Sequence, residues 1–101
     1  LHEQRNWRAV SAAETVQAGA KLLVNTNSGA VTITLPASPS AGDEVHFVDQ
    51  GYDFQTNALT VGRNSSNIAN AASDLVVNTQ GAAFSLVFSG DATTGWTYTE
   101  K

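Results

Sequence analysis

The chain has 101 residues, with five Lys or Arg, nine Asp or Glu and a formal net charge of −4. Phosphate binding needs clustered Lys and Arg, and the few basic residues here are scattered, which excludes nucleic acid as a partner. The chain contains no cysteine, which excludes disulfides and thiolate metal sites. No apolar run is long enough for insertion into a membrane.

Alternation of apolar and polar residues dominates the chain and predicts short β-strands separated by turns. Residues 10–20 are rich in alanine, and there either a short helical turn or an extended segment fits. The predicted strands are, in chain order, 6–11, 21–25, 30–35, 44–49, 58–63, 75–78, 83–89 and 96–99. Many short strands at this spacing predict one all-β domain over residues 1–101, a small antiparallel β-sandwich or barrel-like fold.

Turn chemistry predicts how some of these strands are joined. Pro36 and Pro39 each fix φ and remove a backbone donor, so neither fits inside a sheet ladder. We therefore predict a rigid, non-helical corner between strands 30–35 and 44–49. Two similar Asn-Thr segments, before Gly29 and Gly81, predict hairpins with glycine at positive φ. They are either a duplicated hairpin or convergent turn chemistry.

Several predicted strands carry apolar residues on both faces. A single sandwich of this length would leave some of these residues facing water. A second layer or a partner subunit would bury them, with a gain of about 25 cal/mol per Å². The simplest partner is another copy of the chain. The residues predicted for this oligomer interface are Leu23, Val48, Val76 and Val87.

The sequence contains no recognisable catalytic or metal-binding motif. His2 and His46 lack the spacing of metal ligands, and His46 is expected to face solvent or an interface, although copies of it around a symmetry axis could hold an ion. Acidic residues collect at Asp43, Glu44, Asp49 and Asp53. Two of these could serve glycoside hydrolysis, but Asp is also an ordinary turn former. We expect no enzymatic activity, no metal and no cofactor.

Aromatic residues in two places are candidates for contact with a ligand. Tyr52, Asp53 and Phe54 lie in a predicted loop, where an aromatic ring could stack on a sugar and a carboxylate could bind its hydroxyls. Trp96 lies near the chain end, where it either closes the core or forms a stacking platform. These four residues form the predicted receptor-binding set, with an ordinary loop and a core position as the alternatives.

Several sequence blocks occur in a definite order along the chain. They are WRAVS at 7–11, AGAKLLVNT at 18–26, VTITLPASP at 31–39, GDEVHFVD at 42–49, LTVGRN at 59–64 and GWTY at 95–98. In this order they resemble the small β-structured domain toward the C-terminal ends of bacteriophage tail fibres and tailspikes. Sequences of that type usually carry glycine after the Arg-Asn pair, whereas this chain has Ser65, so we expect a looser turn there.

The resemblance implies a homotrimeric module at the distal end of a phage tail fibre or tailspike, in the virion and acting outside the cell at the bacterial surface. Such a module trimerises the fibre and contacts a host cell-surface glycan or outer-membrane protein. The chain would then be a fragment of a longer fibre chain, with residues 1–5 as a linker to an upstream shaft. The alternative is a monomeric carbohydrate-binding module appended to a polysaccharide-degrading enzyme.

Overall fold

The computed structural model describes residues 7–99. The predicted linker and His2 lie outside the described residues. Within 7–99 there is no helix, and the all-β prediction is confirmed. The strands are β1 (Arg8–Val10), β2 (Glu14–Thr15), β3 (Lys21–Val24), β4 (Val31–Thr34), β5 (Glu44–Asp49), β6 (Leu59–Gly62), β7 (Leu75–Val77), β8 (Ala83–Phe88) and β9 (Trp96–Tyr98).

Strand β2 lies where the sequence left a helical turn open. Its residues pair in parallel with β4, and the Val16 backbone N–H continues this pairing by donating to the Thr34 carbonyl over 2.9 Å. The Val16 side chain is buried in the core. Because Thr15 and Val16 are β-branched and favour extended backbone, the extended alternative is the correct one.

The strands form two mixed sheets. The five-stranded sheet has the order β1-β3-β5-β8-β9, and the four-stranded sheet has the order β2-β4-β6-β7. From β1 to β6 the chain changes sheet at every connection, so neighbouring strands in this part run parallel. The remaining pairs, β5–β8, β6–β7 and β8–β9, are antiparallel. The predicted antiparallel direction is therefore wrong for the first six strands, because alternating side chains occur in both kinds of sheet.

The early connections are arches between the sheets. The proline corner carries the chain from β4 in one sheet to β5 in the other, which confirms the predicted link. The loops that contain Gly29 and Gly81 also change sheets, so the predicted hairpins are wrong. Glycine does supply the positive φ expected in both loops, at +149° for Gly29 and +75° for Gly81. The residue types thus specified a turn but not which strand the chain pairs with afterwards.

The hydrophobic core lies between the two sheets. In β3, β4 and β5 every second side chain is buried there, while the residues between them lie on the outer faces. Each fully buried large apolar side chain contributes about 1.5–3 kcal/mol relative to its exposed state. The largest fully buried side chains are Trp96, Phe47, Phe54, Leu22, Ile33 and Leu35.

The five-stranded sheet extends one strand beyond the other sheet. Arg8 in β1 donates to Glu14 in β2, so these two strands lie at the same side of the sandwich. Counting from that side, the strand orders place β7 opposite β8. Within residues 7–99, β9 therefore has no strand facing it. The backbone around Ile68 pairs with the outer edge of β9 through a parallel bridge to Trp96. The inner side of β9 near Tyr98 lines a groove.

Ser65 adopts a backbone conformation that favours glycine. Its φ is +78°, which costs a residue with a Cβ atom about 1–2 kcal/mol. The turn thus keeps the geometry that glycine would adopt at this position. The looser conformation expected from the Asn64-Ser65 pair is not observed at this residue.

Candidate functional site

The structure separates the four predicted receptor-binding residues into two groups. Tyr52 is 64% exposed, and Asp53 next to it is half-buried. Phe54 and Trp96 are both fully buried in the core, where a ligand cannot reach them. We therefore remove Phe54 and Trp96 from the candidate set. For Trp96 the core alternative is the correct one, because Phe88 packs against its ring at 5.4 Å between centroids.

Asp49 organises the loop that presents Tyr52. This carboxylate is fully buried and accepts three backbone N–H groups. They come from Asp53 at 3.1 Å, Phe54 at 3.2 Å and Gly81 at 2.9 Å. A buried charge is tolerated when hydrogen bonds replace its lost hydration. Asp49 therefore ties residues 50–57, here called the Tyr52 loop, to the arch between β7 and β8.

The Tyr52 ring lies over this arch. A Cβ atom placed on Gly81 would lie 3.0 Å from the Tyr52 ring, so the ring packs closely against this glycine. Gln80 donates its side-chain amide to the Tyr52 carbonyl over 3.3 Å. Tyr52 itself has a φ of +53°, an uncommon value for a bulky residue. The surrounding contacts thus hold the Tyr52 backbone in a strained conformation, while the Tyr52 ring stays exposed.

Amide side chains lie in and beside the Tyr52 loop at this end of the sandwich. Asn25 donates to Gln50 over 2.7 Å, and Asn57 donates to the Thr26 carbonyl over 2.8 Å. Asn57 also lies 3.4 Å from the Asp53 carboxylate. Amides supply both donors and acceptors, and an exposed ring supplies an apolar stacking surface. This combination is suited to a polyhydroxylated ligand such as a glycan.

The predicted interface residues lie on two different surfaces. Leu23 and Val48 are register partners on the outer face of the five-stranded sheet, and Val87 lies farther along the same face, opposite Glu44. These three valine and leucine side chains are half-buried. Val76 is 58% exposed and belongs to β7 in the other sheet. The structure therefore brings three of the four residues onto one face and leaves Val76 apart.

A row of polar and aromatic residues crosses the same outer face. The Ser85 hydroxyl lies 2.6 Å from Nδ1 of His46, and Glu44 lies 3.0 Å from its Nε2. The Trp7 ring meets His46 edge-on at 6.2 Å between centroids, and the Lys21 ammonium lies 6.0 Å from the Trp7 ring centroid. The expectation that His46 faces solvent or an interface agrees with its position. Both of its ring nitrogens already have partners in the chain.

The acidic residues considered for catalysis do not form one cluster. Glu44 begins β5 and Asp49 ends it, so they lie about 17 Å apart at about 3.4 Å per residue. Asp43 accepts the Ser40 N–H over 2.8 Å in the proline corner, as a turn former does. Among the described residues no group of three or more His, Cys, Asp or Glu side chains could hold a metal ion.

One exposed ion pair has shifted pKa values. The Arg8 guanidinium donates hydrogen bonds to the Glu14 carboxylate, which lowers the pKa of Glu14 and raises the pKa of Arg8. Their side chains are 51% and 32% exposed, so water screens the charges. Such pairs contribute at most about 1 kcal/mol. The pair links the edge strands β1 and β2.

Reasoning from the sequence missed the role of Asp49. The sequence places it at the end of an apolar strand, where Asp is an ordinary turn former. A signal was nevertheless available: Asp49 follows Val45 and Phe47 at a spacing of two, which puts its side chain on the buried face. A carboxylate on that face must accept hydrogen bonds from neighbouring backbone.

No protein-family model matches this chain, and no curated protein is significantly similar to it. In residues 7–99 no helix has the length and apolar character needed to cross a membrane.

Proposed function

We propose that this chain is a structural and host-recognition module at the distal end of a phage tail fibre or tailspike. In this role it forms a homotrimer and contacts a glycan or outer-membrane protein at the bacterial surface. The supporting observation is the outer face of the five-stranded sheet. There Leu23 and Val48 lie side by side, next to a half-exposed Trp7 at 44%.

The proposed trimer packs through this outer face. Apolar side chains on a face without a second layer gain about 25 cal/mol for each Å² that a partner covers. His46 and Ser85 lie between the Leu23–Val48 pair and Val87, and Glu44 lies beside Val87. These polar groups would fix the register of the subunits. Val76 is left out of this interface, because it belongs to the opposite sheet.

Sedimentation equilibrium of the chain at micromolar concentration tests the trimer. We expect three copies per particle for the unchanged chain. Val48→Glu places a charge on the proposed interface and should give monomers, whereas Thr32→Glu, an exposed position on the opposite sheet, should leave the trimer intact. A monomeric unchanged chain would rule out the trimer and favour the alternative, a monomeric carbohydrate-binding module.

The proposed recognition surface is the Tyr52 loop. Its supporting observation is the exposed Tyr52 ring, carried by a strained backbone in a loop with amide side chains in and beside it. Purified lipopolysaccharide and capsular polysaccharides from a panel of bacteria serve as probes in a surface-binding assay. We expect at least one to bind, with about tenfold weaker binding for Tyr52→Ala. Ser38→Ala, at an exposed position in the proline corner at the other end of β5, is the control, and equal losses in the two variants would contradict this assignment.

A further inference from the structure

The groove beside β7 has the features of a strand-binding site. It has a volume of about 370 Å³ and runs between β7, β8 and β9. Phe84 and Tyr98 form its aromatic wall, with 6.3 Å between their ring centroids, and Leu75 and Val77 line the opposite side. The name β7 notch is used here for this groove together with the outer edge of β7.

The outer edge of β7 has no strand partner in residues 7–99. β7 pairs with β6 on one side only. Because an antiparallel strand directs its backbone groups alternately to its two sides, part of the β7 backbone faces the notch. An unpaired strand edge beside an apolar groove is the arrangement that binds an extended peptide by adding a strand.

The two sides of the sandwich differ in how their edges are protected. At the β1–β2 side, Arg8 and Glu14 place opposite charges on the edge strands, and charged side chains are a common means of preventing edge pairing. None of the described residues that line the β7 notch is charged. Val76, on the edge strand itself, is 58% exposed. The β7 side is thus the edge that remains open to pairing.

The shape of the notch selects the kind of partner. The five-stranded sheet extends past β7 by one strand, β9. If two copies approached with their β7 edges together, their β9 strands would collide before the β7 strands could pair. A single extended segment, not attached to a wider sheet, fits beside β7 and beneath β9.

We infer that the β7 notch binds one extended, uncharged peptide segment of a partner protein as a fifth strand of the four-stranded sheet. Its backbone pairs with β7, and every second side chain, apolar in character, contacts Phe84 and Tyr98. This site is separate from the proposed trimer face and from the Tyr52 loop, and it does not depend on either.

The test uses a synthetic probe peptide with blocked ends and the sequence AVTITL, which is that of residues 30–35. It is titrated to about 1 mM into the full chain labelled with ¹⁵N, and amide shifts are followed. Two further versions carry N-methyl groups, one on the Val, Ile and Leu residues and the other on the Thr residues. We expect shifts of the amide signals of Val76, Val77 and Tyr98. Only one of the two N-methylated peptides has its N–H donors to β7 blocked, and that peptide should bind about tenfold more weakly.

Protein variants provide a second readout. Tyr98→Ala removes part of the aromatic wall and should weaken binding about fivefold, whereas Ser38→Ala, at an exposed position in the proline corner, should not change it. If Tyr98→Ala fails to fold, the N-methylated peptides decide the question. Absence of shifts at 1 mM, equal binding of all three peptides, or shifts confined to other surfaces would overturn the inference. Shifts at β7 that appear with rising protein concentration alone would identify a second copy as the occupant and overturn it as well.

Discussion

Replacing Asp49 with asparagine should destabilise the fold strongly while changing the side-chain volume very little. The carboxylate accepts three backbone N–H groups in the core. Asparagine keeps one oxygen, which could still serve Phe54 and Gly81 as a neutral acceptor. Its NH₂ group would then face the Asp53 N–H, which would lose its acceptor.

The expected loss follows from these three contacts. A hydrogen bond to a charged group contributes about 1.5–3 kcal/mol and a neutral one about 0.5–1.5, while an unsatisfied buried donor costs about 1–3. Two bonds weakened by about 1 kcal/mol each and one orphaned N–H that costs about 1–3 kcal/mol give a loss of about 3–5 kcal/mol in the free energy of unfolding. For a domain of this size the melting temperature should fall by roughly 12–40 °C.

Urea unfolding followed by Trp fluorescence measures this loss, because Trp96 is fully buried. Protomer concentration is held constant, since oligomers gain stability with concentration. The matched control is Asp43→Asn, where the carboxylate accepts one N–H, from Ser40, at the surface, and we expect a loss below about 1 kcal/mol. If Asp49→Asn were as stable as the control variant, the reasoning about the buried carboxylate would be refuted.

Three further predictions test other parts of the structure. Ser65→Gly should raise the free energy of unfolding by about 1 kcal/mol, because glycine adopts φ near +78° without strain; an unchanged or lower urea midpoint would contradict this. The pKa of Glu14 is lowered in the folded state by its hydrogen bond from Arg8, so the pair stabilises the fold above the ordinary Glu pKa and the stabilisation is lost as pH falls through the lowered value. Glu14→Gln should therefore reduce the fall in the free energy of unfolding between about pH 5 and 3, by less than about 1 kcal/mol. Identical pH profiles for the variant and the unchanged chain would show that the pair has no effect. Finally, a fluorophosphonate probe should not label Ser85 despite its contact with His46, since we expect no enzymatic activity, and a mass shift on Ser85 that disappears in the His46 variant H46N would contradict that expectation.

Much of the local structure could be predicted from the sequence, because it depends on short-range chemistry. Alternation of Val31, Ile33 and Leu35 with threonines gives a strand with one buried face, and the structure has β4 there. Pro36 and Pro39 exclude regular pairing and produce the corner. Other predicted strands, such as the one at 75–78, are apolar runs bounded by turn residues.

The candidate site was predictable only in part. An aromatic residue in a loop after Gly51 suggested exposure, and Tyr52 is exposed. The same reasoning failed for Phe54, two residues later, because its backbone N–H is bound by Asp49 and its ring enters the core. Local sequence does not distinguish a loop that stays on the surface from one that folds back.

The sequence by itself determined the positions of eight of the nine strands in residues 7–99, the turn positions and the presence of apolar side chains on both faces of several strands. Only the tertiary structure decided which strands are neighbours, and hence that six consecutive strands alternate between sheets and pair in parallel. The physical reason is that the side-chain period is the same in parallel and antiparallel strands, whereas pairing depends on where an arch delivers the chain. The extra strand β9, the open edge of β7 and the burial of Asp49 all arise from that long-range arrangement.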